Sequence, residues 1–156
     1  MEGEKSQLHK NKVHKVLFHS YSVYFVFFLV GVCLDLIFNL KVFGDSITAT
    51  SFGFTSLLLG TFLVFWAQKT SRKLQKGQIN KKTFSRGPYG FTRTPTNFGL
   101  FFLMLGFGII ANAFFIILLS FIAFLLAKFI FLEKEERILA EKYGAPYLEY
   151  KESVIF

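Results

Sequence analysis

Three charged residues bracket the longest uncharged stretch of this chain: Arg93 before it, Glu135 and Glu136 after it, about 40 positions apart. If the intervening segment doubles back, a guanidinium meets a carboxylate pair in space. Two readings follow from the residue types alone. The three groups form an ordinary interfacial salt bridge that fixes the two segments, or they form a polar site with lipid-accessible grooves beside it. Other chemistry is sparse. His9, His14 and His19 are spaced by five, which matches neither face of a helix. The single cysteine, Cys33, allows neither an intramolecular disulfide nor a Cys-based metal site. Asp35 is a lone carboxylate near the outer end of an apolar run, where it is expected to be hydrated. No metal site is expected.

The elements that must position these residues are read from composition and pattern. Of 156 residues, 53% are hydrophobic and 23 are Phe, and the mean hydropathy is +0.45. A soluble core of this size cannot hide so many large rings, so much of the apolar surface faces lipid. The formal charge of +8 is unevenly placed: residues 46–132 contain no acid, and eight bases lie between Lys69 and Arg93. Such a segment suits a cytoplasmic loop facing anionic headgroups, and not a nucleic-acid interface.

Apolar runs over 16–40 and 46–68 are each long enough, at about 1.5 Å per residue, to cross a hydrocarbon core of roughly 30 Å. The first exceeds the 7–15 residue apolar core of a secretory signal, so it reads as a retained span. Gly, Ser and Thr in the second suit close helix packing, and Trp66 near its end suits an aromatic belt. Thr94 to Ala127 is uncharged, and as one straight helix would be about 51 Å long. Ala111–Asn112–Ala113 is the plausible turn, because Asn tolerates left-handed geometry. A hairpin with spans at about 96–110 and 113–132 is therefore expected, after a basic loop over 69–95. Thr94 or Thr96 is a candidate helix cap. The tail, 133–156, is charged and amphipathic, with a Glu133–Arg137 pair and a helix stop at Gly144 and Pro146.

The expected class is thus an all-α integral membrane protein of about four transmembrane helices. The last two form a hairpin, and a cytosolic helical tail follows. Residues 1–15 are a polar basic N-terminus, and 16–156 are one membrane domain. With four spans, 17 of the 18 bases fall on one side and only Lys41 lies opposite, which places both termini in the cytoplasm.

The segment "GPYGFTRTPTNFG" resembles the isoprenylcysteine carboxyl methyltransferase and phospholipid methyltransferase group of membrane enzymes. Their pattern runs Gly-Pro-Tyr, a short gap, Arg-His-Pro, a residue, Tyr, a residue, Gly, and Gly87, Pro88, Tyr89, Arg93, Pro95 and Gly99 match it. After an apolar hairpin the family carries a Glu-Glu pair, a leucine, an aromatic-Gly and two spaced tyrosines. Here "EERILAEKYGAPYLEY" supplies Glu135, Glu136, Leu139, Tyr143, Gly144, Tyr147 and Tyr150. Two positions depart: Thr94 stands where the family has histidine, and Asn97 where it has tyrosine.

The resemblance implies S-adenosylmethionine as methyl donor and a lipid-like or prenylated acceptor reaching the cytosolic face from the bilayer. It implies Arg93 and Glu136 as catalytic residues. The implied cofactor residues are Tyr89, Arg93, Thr94, Pro95, Asn97, Gly99, Glu135, Glu136, Tyr147 and Tyr150. The cofactor is a zwitterion with an added sulfonium charge, so a cation, an anion and aromatic walls suit it. Gly99, Gly106 and Gly108 admit either helix packing or cofactor approach. A protein prenyl-cysteine, an ethanolamine lipid, an isoprenoid quinol and a small thiol are all open as acceptors. The alternative is a binding or scaffold protein of the same fold whose catalytic site has drifted.

Overall fold

A computed structural model describes residues 21–44, 46–74, 87–92, 94–131, 136, 137, 140, 141, 144, 145 and 148, without the side chains of 71–74, 89 and 131. The described residues are helical or irregular, with no strand among them. Helix α1 spans Tyr21–Phe38 and α2 spans Ile47–Leu74. A 3₁₀ turn covers Gly87–Gly90. Helix α3 spans Pro95–Ile110, and α4 spans Phe114–Leu126 and ends in one π-helical turn, Ala127–Phe131. α1 and α2 are long and apolar enough to cross a membrane, and α3 and α4 are shorter apolar helices. α2 runs past residue 68 as far as Leu74, so the first residues of the segment expected as a basic loop continue the helix.

The distribution of side chains is inverted relative to a soluble domain. Among the described residues the buried positions are mostly small, including Ala67, Ala113, Ala123 and Ala127, while Leu36, Ile47, Phe65 and Phe129 point outward. Apolar exposure on this scale needs an apolar surrounding.

What holds α2 to α3 is close backbone approach. The helices run antiparallel, with Gly53 facing Gly106 and Gly60 facing Gly99. The glycines are seven apart on each helix, two turns, so both pairs fall on one seam. A Cβ on Gly106 would stand 2.7 Å from the Gly53 carbonyl oxygen, and one on Gly60 would stand 2.7 Å from the Leu103 nitrogen. Without a hydrophobic force between helices in lipid, this contact is the available source of cohesion. Gly99 and Gly106 are therefore packing residues of the α2–α3 seam. Gly108 packs against α4, where a Cβ would lie 3.0 Å from the Ile116 and Ile117 side chains.

The expected hairpin is present. Asn112 adopts φ +53°, and the Ala111 and Ala113 N–H groups donate to the carbonyls of Phe107 and Gly108, both at 2.9 Å. Phe101 packs its ring on Phe121 and Phe124 across the hairpin, at centroid distances of 5.2 and 4.9 Å. Asn112 also reaches the α1–α2 loop. Its Oδ1 accepts the N–H groups of Val42 (2.9 Å) and Phe43 (2.8 Å), and its Nδ2 donates to the Phe43 carbonyl.

Asp35 differs from the hydrated carboxylate expected of it. It is half-buried and accepts the backbone N–H groups of Phe115 (3.0 Å) and Ile116 (2.9 Å). These are the second and third residues of α4, the donors an N-cap side chain serves, and the N-cap position holds Ala113. The carboxylate of α1 supplies the cap that α4 lacks, at the positive end of its dipole.

Candidate functional site

The site is built at the end of the bundle where α1 and α3 begin and where α2 and α4 end. The 3₁₀ turn Gly87-Pro88-Tyr89-Gly90 seats the approach to α3. Gly87 has φ +66°, and a Cβ there would meet Thr70 Oγ1 at 2.8 Å and the Trp66 indole nitrogen at 3.2 Å. Both the backbone conformation and the close approach demand glycine. Pro88 is buried, and its carbonyl accepts the N–H groups of Phe91 and Thr92, each at 3.2 Å. Trp66, expected in an aromatic belt, is half-buried against this turn and pairs with Phe62 at 5.4 Å.

Helix α3 starts with Pro95 in its first turn, where a missing N–H costs nothing. Thr94 occupies the N-cap position, but its hydroxyl makes no capping bond, and Thr96 lies inside the helix. The expectation of a threonine side-chain cap is corrected: the entry bonds run to the Thr94 carbonyl from Asn97 (3.1 Å) and Phe98 (3.3 Å). The preceding proline turn and the buried Pro95 ring set the chain direction instead. Gly99 is buried in the α2–α3 seam, where a Cβ would lie 2.6 Å from Val64 Cγ2.

Asn97 is 6% exposed. Among the described residues no group hydrogen-bonds its carboxamide. A buried primary amide left in this state costs about 1–3 kcal/mol, and a native site with such a group calls for a ligand, an ion or a water. Its backbone carbonyl is occupied, accepting the Tyr24 hydroxyl at 3.3 Å. Tyr24 itself is 4% exposed. It is the contribution that motif matching missed. The only sequence signal for it was a phenol among the hydrocarbon side chains of α1.

The other side of the site follows α4. Its last turn is π-helical, a local widening frequent at functional positions. A few residues on, Glu136 is buried at 8% exposure. A carboxylate this buried is paired, and Glu136 does have an interaction partner. Arg137, next to it, is exposed and pairs with Glu141 at 3.7 Å. Gly144 takes φ +62°, and its N–H closes on the Ala140 carbonyl at 2.9 Å, which is the helix stop expected there. Arg93, Glu135, Tyr147 and Tyr150 lie outside the described residues, as do Glu133, Pro146, the histidines and the Tyr89 side chain. Among the described residues no three His, Cys, Asp or Glu side chains come together as metal ligands would.

The described residues thus form a bundle of closely packed apolar helices, with a proline turn entering one leg of a hairpin and a buried glutamate beyond the other. The sequence pattern of the phospholipid methyltransferase family matches residues 48–146, nearly two thirds of the chain, and the chain belongs to that family. No curated protein and no solved structure matches it. Membership of the family points to methyltransferase activity on lipid-like substrates, and enzymes of the family generally use S-adenosylmethionine.

The described residues fit such a cofactor in two respects. The buried Asn97 carboxamide offers donors and an acceptor with no protein partner among the described residues. The buried Glu136 is an anion of the kind an ammonium or sulfonium group pairs with, and it already engages a partner within the protein.

Proposed function

We propose that this protein transfers the methyl group of S-adenosylmethionine to a lipid-like or prenylated acceptor at the cytosolic membrane face. The polar segment 1–15 precedes a single membrane domain of four spans, residues 16–156, with both termini cytoplasmic. The cofactor supplies an electrophilic methyl on a sulfonium centre. Arg93 pairs with its carboxylate end, and Glu135 or Glu136 with its positive charge. Tyr89, Tyr147 and Tyr150 supply aromatic walls, and Thr94, Pro95 and Asn97 form the floor at the start of α3, which Gly99 holds against α2. Positioning and exclusion of water carry the rate, because in-line transfer to a thiolate, carboxylate or amine needs little acid–base help.

The observation that carries this reading is the buried Asn97 carboxamide, which has no hydrogen-bond partner among the described residues, next to the family's Arg-x-Pro position. The second reading, a binding or scaffold member without catalysis, draws on the same place, since Thr94 and Asn97 replace the family's histidine and tyrosine.

Calorimetry with S-adenosylmethionine on the detergent-purified chain separates the two. Binding is expected, and Arg93→Ala and Glu136→Ala each weaken it by roughly tenfold or more. No binding at millimolar cofactor sinks the enzyme reading. Cysteines placed at Ala111 and Lys142 in a Cys33→Ser background should react from opposite membrane sides, and reaction from one side removes the four-span topology.

A further inference from the structure

Tyr24 places a phenol among the hydrocarbon side chains of α1. It is 4% exposed, and its hydroxyl donates to the Asn97 backbone carbonyl at 3.3 Å, across 73 positions of sequence. A phenylalanine would fill the same space with no hydroxyl to satisfy. The residue at the other end of the bond is held in an unusual way. Asn97 lies in the first turn of α3, and that turn is weakly tied by its own residues. Pro95 brings no N–H, and Thr94 at the cap position makes no side-chain bond. The Asn97 N–H closes on the Thr94 carbonyl at 3.1 Å, and the Tyr24 hydroxyl takes the carbonyl on the other side of the same Cα. Asn97 is thus held at both its peptide groups, once from its own turn and once from a different helix. Its buried carboxamide, with no hydrogen-bond partner among the described residues, is the group left to meet a ligand.

We propose that Tyr24 is a positioning residue for the cofactor: it fixes the Asn97 backbone, and through it the direction in which the Asn97 carboxamide is presented. The inference rests on the methyltransferase reading and adds to its site a residue that does not itself touch the cofactor. The first turn of a helix frays most readily, and a turn without a side-chain cap frays more. A bond from outside therefore changes the order of this turn more than it would further along α3. Hydrogen bonds weaken steeply when misaligned, so the aim of the amide sets how much it contributes to binding. α1 ends before residue 48, where the family match begins, so the hold comes from outside the segment the family pattern covers. The same helix carries a contrasting contact. Asp35, about 16 Å further along α1, ties the start of α4 through Phe115 and Ile116 at the opposite end of the bundle. α1 thus fixes the starts of both legs of the hairpin, and only one of these starts carries the site.

The test compares Tyr24→Phe, Asp35→Ala and Asn97→Leu in the full chain purified in detergent. In amide hydrogen exchange without cofactor, Tyr24→Phe should speed exchange at Asn97 and Phe98 by about threefold or more and leave Phe115 and Ile116 as they are. Asp35→Ala should do the reverse. In calorimetry with S-adenosylmethionine, Tyr24→Phe should weaken binding by about three- to tenfold, and Asp35→Ala should leave it unchanged. Adding Tyr24→Phe to Asn97→Leu should weaken binding no further, because Tyr24 acts only through Asn97. Unchanged exchange at Asn97 or unchanged affinity in Tyr24→Phe overturns the proposal. Equal weakening by Asp35→Ala also overturns it, since a general loosening of the bundle would then explain the loss. So does an additive loss in the double variant, which would give Tyr24 a contact of its own with the cofactor. Wild-type protein that binds no cofactor sinks the methyltransferase reading and this role with it, whereas wild-type binding with Tyr24→Phe unaffected sinks this role alone.

Discussion

The Asp35 carboxylate, near the end of α1, accepts the backbone N–H of Ile116 at 2.9 Å, 81 positions further along the chain. With the companion bond to Phe115, it caps a helix whose own N-cap residue is an alanine. Asp35→Ala leaves two N–H groups at the start of α4 without a partner in an apolar region. The expected loss is about 1–3 kcal/mol, read as a lower midpoint in thermal unfolding of the detergent-solubilised protein. Unchanged stability would mean that water caps α4.

Asn112 combines a left-handed backbone with a side chain that clamps the α1–α2 loop, and two substitutions separate these roles. Asn112→Gly keeps the conformation and loses the bonds to Val42 and Phe43, at a cost of about 1–2 kcal/mol. Asn112→Ala loses both and should be worse by a further ~1 kcal/mol. Equal midpoints for the two variants would assign the whole effect to the clamp.

The glycine seam predicts a sharp positional contrast. Gly106→Ala brings a methyl against the Gly53 carbonyl and the Leu57 nitrogen, backbone atoms that cannot swing aside, so α2 and α3 must separate. A loss of about 1–3 kcal/mol or more follows. Gly44→Ala, with nothing within 4 Å of the added carbon, should change nothing measurable. Folding yield from membranes and thermal midpoints compare the two.

Asn97 gives a prediction of opposite signs. Asn97→Leu replaces a buried amide that lacks a described partner with a hydrocarbon of similar size, so the ligand-free protein should gain about 1 kcal/mol. The same change should weaken S-adenosylmethionine binding roughly tenfold. A variant that loses stability instead would show that the amide already has a protein partner.

Much of the architecture was legible before any coordinates. The apolar runs located the helices because a membrane leaves the backbone no alternative to internal hydrogen bonding. Asn112 marked the hairpin turn because few residues accept positive φ. The uncharged length of 94–127 required a reversal at Asn112, because one straight helix of that length overruns a membrane. All of these are properties of short segments or of one local reversal.

What the residues alone left open was which distant groups meet. Asp35 read as a hydrated carboxylate, since nothing near it in sequence reveals a helix start 80 positions away that lacks its own cap. Gly99, Gly106 and Gly108 admitted packing or a cofactor, and only the antiparallel register of α2 against α3 made the first two seam residues. Tyr24 lies in an apolar run with nothing local to single it out, and only the packing of α1 beside α3 brings its hydroxyl to the Asn97 carbonyl. Hydropathy and turn propensity act over a few residues, so the sequence by itself determined the helices, their turns and the family. Partner choice between helices depends on register and backbone approach, and those exist only once the bundle is packed.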